Sequence, residues 1–184
     1  MNSGGVPKKS TVKIDFFSSS PKHVALPIQK VVRTADVLIS DGSEPPPIPS
    51  EFISLAEATI QDAQAHLDDL PSMRPDTCLV HFYEPAFAHN GLRQDLYESS
   101  DSLQRGLPVV SISIGNAALF LYGNTNDEKK LDLVVLHSGD VLIYGGKSRP
   151  MFHKLEHIFG VSPGPLIRET AIRAGNLNLT LRQF

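Results

Sequence analysis

Residues 107–144 are cut into short runs of alternating side chains, each closed by turn residues, and that pattern restricts the chain to an antiparallel β fold. From Leu107 to Ile114, Val109, Ser111 and Ser113 alternate with Val110, Ile112 and Ile114. A period of two sends successive side chains to opposite faces of a sheet. Gly115-Asn116 then gives a tight hairpin signal before a second strand, Ala117 to Tyr122. Gly123-Asn124-Thr125-Asn126-Asp127 marks the next turn, and Leu131 to Leu136 and Val141 to Tyr144 form a further pair around Ser138-Gly139-Asp140. Cys78 to Tyr83, Ser148 to His153 after Gly145-Gly146, and Leu177 to Phe184 add three more strands, while residues 158–171 read as loop with a helical turn after Pro165. Seven or so short strands with turns this frequent specify a β-sandwich or barrel.

Helical periodicity occurs in one place. Phe52, Ile53, Ala56, Ile60, Ala63 and Leu67 share a face. Ser50 is the expected N-cap after Pro49, and Leu70-Pro71 ends the segment, so the spacing predicts a helix over 50–69. Ahead of it, Pro45-Pro46-Pro47-Ile48-Pro49 is a stiff extended linker, since each ring fixes φ and removes a donor. Residues 1–22 mix Gly, Ser, Pro and Lys around one short strand between Val12 and Phe17. The expected organisation is a flexible basic arm and Pro-rich linker over 1–49, then one folded domain over 50–184 with its strands in 76–184.

An apolar share of 41% over 184 residues supports one globular core rather than a disordered chain. Cys78 is the only cysteine, which excludes an internal disulfide. No apolar run approaches the roughly 20 residues of a membrane-spanning helix, and no charged-then-apolar secretory pattern opens the chain. These features lead to the expectation of an intracellular protein of cytoplasm or nucleus. The net charge of -3 is unevenly spread: Lys8, Lys9, Lys13, Lys22, Lys30 and Arg33 face Asp15 alone in the first 34 residues. A basic arm on an acidic body can meet phosphates or simply stay solvated.

Several segments in order carry a resemblance. They are Pro75-Asp76-Thr77-Cys78, Phe82-Tyr83, Leu92-Arg93-Gln94-Asp95, the run from Gly106 to Gly115, Ser138 to Leu142, Gly145 to Arg149, Phe152-His153 and Asn178-Leu179-Thr180-Leu181-Arg182. Together they resemble the AlkB family of iron(II)/2-oxoglutarate dioxygenases, over roughly residues 75–184. That resemblance implies a mainly β double-stranded β-helix (jelly roll) with one or two helices. It implies Fe(II) and 2-oxoglutarate as cofactors, alkylated DNA or RNA as partner, and oxidative dealkylation of bases as the reaction. It places Asp95 and His153 as metal ligands, and Tyr83, Asn178 and Arg182 at the 2-oxoglutarate. Arg149 falls on the substrate side.

Two positions depart from that pattern. Arg93 stands where the family has the first His of its His-x-Asp motif, and Asn176 where it has the first Arg of its tail. A guanidinium keeps its proton and offers no lone pair to iron. An asparagine cannot form the charge-assisted pair that an arginine makes with a carboxylate. His89 precedes a glycine turn off the strand register, Arg173 lies three residues before Asn176 on the opposite strand face, and Tyr97 replaces a carboxylate frequent in relatives. The expectation is a diverged, catalytically impaired member. The alternatives are an active dioxygenase holding iron through Asp95, His153 and water or His89, and an interaction module for nucleic acid or protein. Because Arg93 and Asp95 are two apart, the sequence also predicts that they form an ion pair across the vacated metal position.

Overall fold

A computed structural model describes residues 12–15, 46–85, 91–95, 99–160 and 174–184. Two antiparallel sheets face each other with a helix against the outside of the larger one. The elements run β1 (Val12–Asp15), α1 (Ser50–Gln64), β2 (Thr77–Tyr83), α2 (Ser100–Arg105), β3 (Val109–Gly115), β4 (Ala118–Gly123), β5 (Asp132–Leu136), β6 (Asp140–Tyr144), β7 (Phe152–Ile158) and β8 (Asn176–Arg182). The five-stranded sheet has the order β1-β6-β3-β8-β2, and the three-stranded sheet β5-β4-β7. This is the mostly β, jelly-roll arrangement that the sequence led us to expect.

The alternation in β3 sorts its side chains as the period of two requires. Val110 and Ile112 point outward, with Val141 and Ile143 of β6 and Leu177, Leu179 and Leu181 of β8, and α1 covers them with Ala56, Ile60 and Ala63. The other face of the same strands looks into the space between the sheets. There Val109, Leu142, Tyr144 and Met151 pack with Leu136 and Phe120. The polar inward positions Ser111, Ser113, Asn176, Asn178 and Thr180 instead line a cavity.

Two expected strand pairs do not form. Gly115-Asn116 does not close a hairpin: β3 pairs with β6 and β8, and β4 lies in the opposite sheet beside β5 and β7. Likewise β5 and β6 flank Ser138-Gly139 but belong to different sheets. A turn residue fixes a local reversal without fixing which sheet the next strand joins, and in a jelly roll the chain crosses over. Gly115 suits such a corner. Its φ is 103, and an added Cβ would sit 2.5 Å from the Gly175 oxygen. Asn116 completes the corner by donating its backbone N–H to Gly175 O at 2.8 Å and its amide to Phe159 O at 2.7 Å.

Helix α1 begins at Ser50 with Pro49 as its cap residue. The Ser50 hydroxyl turns to the Glu51 carboxylate rather than capping a backbone N–H. The helix ends at Gln64 rather than at residue 69. The side chain of Gln64 donates to Leu70 O at 2.9 Å and so ties the following turns down. Pro71 disfavours helical geometry at Leu70. Helix α2 was not read from the sequence; it is capped by the Ser99 hydroxyl on Ser102 N and closed by Gly106 at φ 63. The 148–153 strand starts later, at Phe152, because residues Gly146–Ser148 form a 3-10 turn. The expected loop and helical turn over 158–171 and the positions His89, Tyr97 and Arg173 lie mostly or wholly outside the described residues.

Candidate functional site

The cavity between the sheets is an open cleft of about 540 Å³ including its mouth. One wall is built by register. Ser111 stands opposite Thr180, Ser113 opposite Asn178, and Gly115 opposite Asn176. Asn178 donates its amide to the Ser111 hydroxyl at 2.7 Å and accepts from the Thr180 hydroxyl at 2.7 Å. Asn176 donates its amide both to the Ser113 hydroxyl at 2.7 Å and to Asn116 O at 2.8 Å. The Asn116 carbonyl only accepts, so it fixes which end of the Asn176 amide is nitrogen. Oδ1 of this 1%-exposed side chain then has no hydrogen-bond partner. Tyr83 closes this end from β2, packed on Ala118, Leu155 and Ile158.

The other end is charged. Arg93 exchanges both backbone hydrogen bonds with His153, N to O at 3.1 Å and O to N at 2.8 Å. Residues that exchange both bonds in an antiparallel bridge project to the same side, about 5.5 Å apart at Cα. Position 93 is thus built to carry a side chain beside His153, and Asp95 follows two residues on. Asp95 is buried and His153 Nε2 lies 3.7 Å from its Oδ2. Nδ1 of His153 is 3.4 Å from Met151 O. A carbonyl can only accept there, which leaves the Nε2 lone pair facing the carboxylate. The His153 ring stacks against Phe120 and is tilted on Tyr144, each at 5.6 Å between centroids.

The expected Arg93–Asp95 ion pair is replaced. Arg93 is exposed at the mouth, and Arg182 takes its place with Nη2 at 3.0 Å from Asp95 Oδ2. Arg182 arrives from the far end of β8, a partner 87 residues away that a spacing of two could not suggest. The Tyr144 hydroxyl donates to the same oxygen, and Arg149, buried behind the Tyr144 ring rather than on the cavity wall, donates to Asp95 O at 3.3 Å. Tyr144 was missed by sequence reasoning, where Val141 to Tyr144 read as an apolar strand. The hydroxyl at a strand end beside Gly145-Gly146 was the one available signal.

These contacts set the protonation states. Burial alone would raise the Asp95 carboxyl, but Arg182, His153, the Tyr144 hydroxyl and Arg149 outweigh it and hold it below its ordinary value. Burial pushes His153 down despite the Asp95 charge, and Arg93 adds to the effect. Burial first, then the Asp95 charge, pushes the Tyr144 hydroxyl well up.

An iron centre of the two-histidine, one-carboxylate type needs three ligands on one face of the metal. Among the described residues, no group of three His, Cys, Asp or Glu side chains gathers to hold a metal ion. Asp95 and His153 supply two, and the bridge position that would present the third carries Arg93. The donor set does not fit that centre.

The comparisons with known proteins agree with the fold and go further. The model of the 2OG-Fe(II) oxygenase superfamily matches residues 29–182. The chain is 44% identical over 155 residues to the DNA N(6)-methyladenine demethylase ALKBH1C of Arabidopsis thaliana, covering 78% of this chain and 34% of that protein. It is 30% identical over 111 residues to the alpha-ketoglutarate-dependent dioxygenase AlkB of Escherichia coli (strain K12), covering 60% and 47%. A solved structure of OsALKBH1 superposes with a TM-score of 0.72 at 45% identity, covering 78% of this chain and 69% of that one. The chain therefore spans a third to a half of the curated relatives it matches.

Proposed function

The chain belongs to the 2OG-Fe(II) oxygenase superfamily, and from that membership we propose a diverged AlkB-like domain that keeps the scaffold and has lost the competent iron site. The observation that carries this reading is position 93. Its backbone is paired to His153 as a ligand strand requires, and its side chain is an exposed guanidinium. Metal and 2-oxoglutarate would supply the oxidation of an N-alkyl group. This chain's own groups also satisfy one another: Arg182 and Tyr144 donate to Asp95, and the His153 ring stacks against Phe120. Since relatives are named as demethylases of DNA and of tRNA, alkylated DNA or RNA is the partner class that the family supports, with binding outlasting turnover.

Calorimetric titration with Fe(II) or Mn(II) under argon tests this. Weak binding is expected, and a dissociation constant in the low micromolar range or tighter would refute the reading in favour of a working dioxygenase built on Asp95 and His153. Arg93→His supplies the third ligand from the bridge position and should tighten metal binding at least about tenfold, ~1.4 kcal/mol. It should improve succinate release far less, because Asn176 still stands where the family has an arginine. If Arg93→His alone turns over as fast as the Arg93→His, Asn176→Arg double mutant, the role given to Asn176 is wrong.

A further inference from the structure

The cavity is electrically lopsided. Of the described residues that line it, Arg93, Asp95 and Arg182 carry charge, and all three belong to one end. Two guanidiniums face one carboxylate there, an excess of at least one positive charge among the described lining residues. The other end is formed by Ser111, Ser113, Asn176, Asn178 and Tyr83, with Ala118 and Leu155 beside them, and among the described residues it contributes hydrogen-bonding groups without a cation. Both protons of the Asn176 amide are spent on Ser113 and Asn116. Its Oδ1 remains as a buried acceptor without a partner. The Ser111 and Ser113 hydroxyls each accept an asparagine N–H and keep their own proton to donate.

We propose that this cleft is a binding site for a small monocarboxylate whose other end is an uncharged hydrogen-bonding group such as a primary amide. The carboxylate would sit at the Arg182 end, where guanidiniums outnumber the one carboxylate. The amide would meet the Ser/Asn wall, donating where Asn176 and Asn178 present carbonyl oxygens and accepting from the serine hydroxyls. A second carboxylate at that wall would be desolvated beside carbonyl oxygens with no cation among the described residues to offset it, which is costly. The proposal rests on the reading of Asn176 given above and sharpens it from the loss of a dicarboxylate partner to a change of ligand class.

The test is calorimetry on the full chain with chelator present, using glutarate, its monoamide glutaramate, and pentanoate. Glutaramate is expected to bind at least about tenfold more tightly than glutarate, with pentanoate between them because it carries one charge and no polar tail. Asn176→Arg places a cation at the neutral end and should reverse the order of glutarate and glutaramate. Should that variant fail to fold, the three-ligand series on the unchanged protein decides alone. Glutarate equal to or tighter than glutaramate overturns the inference. No binding of any of them, with chelator or with Mn(II), overturns it too and leaves the account of the iron position standing. Binding of glutarate that appears only with Mn(II) overturns both.

Discussion

Strands β3 and β8 have two faces made under different rules. The outward face is apolar and covered by α1: Val110, Ile112, Leu177, Leu179 and Leu181 lose their water to Ala56, Ile60 and Ala63. The inward face of the same backbone carries Ser111, Ser113, Asn176, Asn178, Thr180 and Arg182, whose polar atoms bond one another or Asp95, apart from the unpartnered Asn176 Oδ1. The outward face is held by contact area, so an apolar side chain of similar volume would serve. The inward face is held by specific donor–acceptor pairs in a buried setting, where removing one partner strands the other. A sheet that needed only stability would be apolar on both sides. The polar inner face of these strands lines the cavity instead.

The largest effect should come from breaking the charged end of the inner face. Asp95→Ala leaves the Arg182 guanidinium, 11% exposed in its side chain, without its carboxylate. Breaking a buried pair from one side typically costs about 3–5 kcal/mol. Chemical denaturation gives the value directly, and a double-mutant cycle with Arg182→Ala should return a clear coupling. A coupling near zero would mean that the pair is solvated and that Tyr144 and His153 alone orient Asp95.

On the outer face, Leu181→Ala should cost about 2–5 kcal/mol through lost burial and the cavity left behind, because Leu181 is fully buried under α1. Its effect should be independent of pH and of any cavity ligand. If small carboxylates shift its melting temperature less than they shift that of the unchanged protein, the two faces are coupled and the contrast drawn between them fails.

The outer face was readable from the sequence and the inner face only in part, for physical reasons. Alternation in Leu107 to Ile114 assigned Val110 and Ile112 to one side and Ser111 to the other, because a period of two is a local property. Which strands pair is not local. Gly115-Asn116 and Ser138-Gly139 were read as hairpin turns, yet both connect strands of opposite sheets. The resemblance brought Asp95, His153, Tyr83, Asn178 and Arg182 to one cavity, where the structure also has them. It could not show that Arg182 would take the pairing expected of Arg93, since that depends on where the loop before Asp95 directs each side chain. Tyr144 was hidden because a tyrosine within an apolar run reads as core.

Acid should act on the inner face alone. The folded-state value of His153 lies below its ordinary 6.5, so the unfolded chain takes up that proton first. Stability is therefore intact above the ordinary 6.5 and falls as the pH drops from there through the lower folded-state value. Asp95 is also held below its ordinary 3.8, so a second loss with the same sign follows at lower pH. Urea midpoints measured between about pH 7.5 and about pH 5 should decline, and His153→Gln should flatten that decline. A midpoint that stays level over this range would show that the His153 ring is solvated enough to charge without cost.

The smallest effect is expected at the residue that most alters the chemistry. Arg93 is exposed, and no ion pair of its side chain occurs among the described residues. Its structural role is the backbone bridge to His153, which any non-proline residue can make. Arg93→Ala should therefore change unfolding free energy by no more than about 0.5 kcal/mol, as surface substitutions do. Its consequence appears in charge instead. Removing one of the two guanidiniums at the cavity mouth should raise the pKa of His153, since Arg93 is among the groups that lower it, and should weaken binding of glutaramate. Titration of the His153 ring by NMR in the variant checks the first, and calorimetry the second. A stability loss of the size expected for Asp95→Ala would instead show that Arg93 folds back over the carboxylate. The charged end would then be closed by two arginines rather than one.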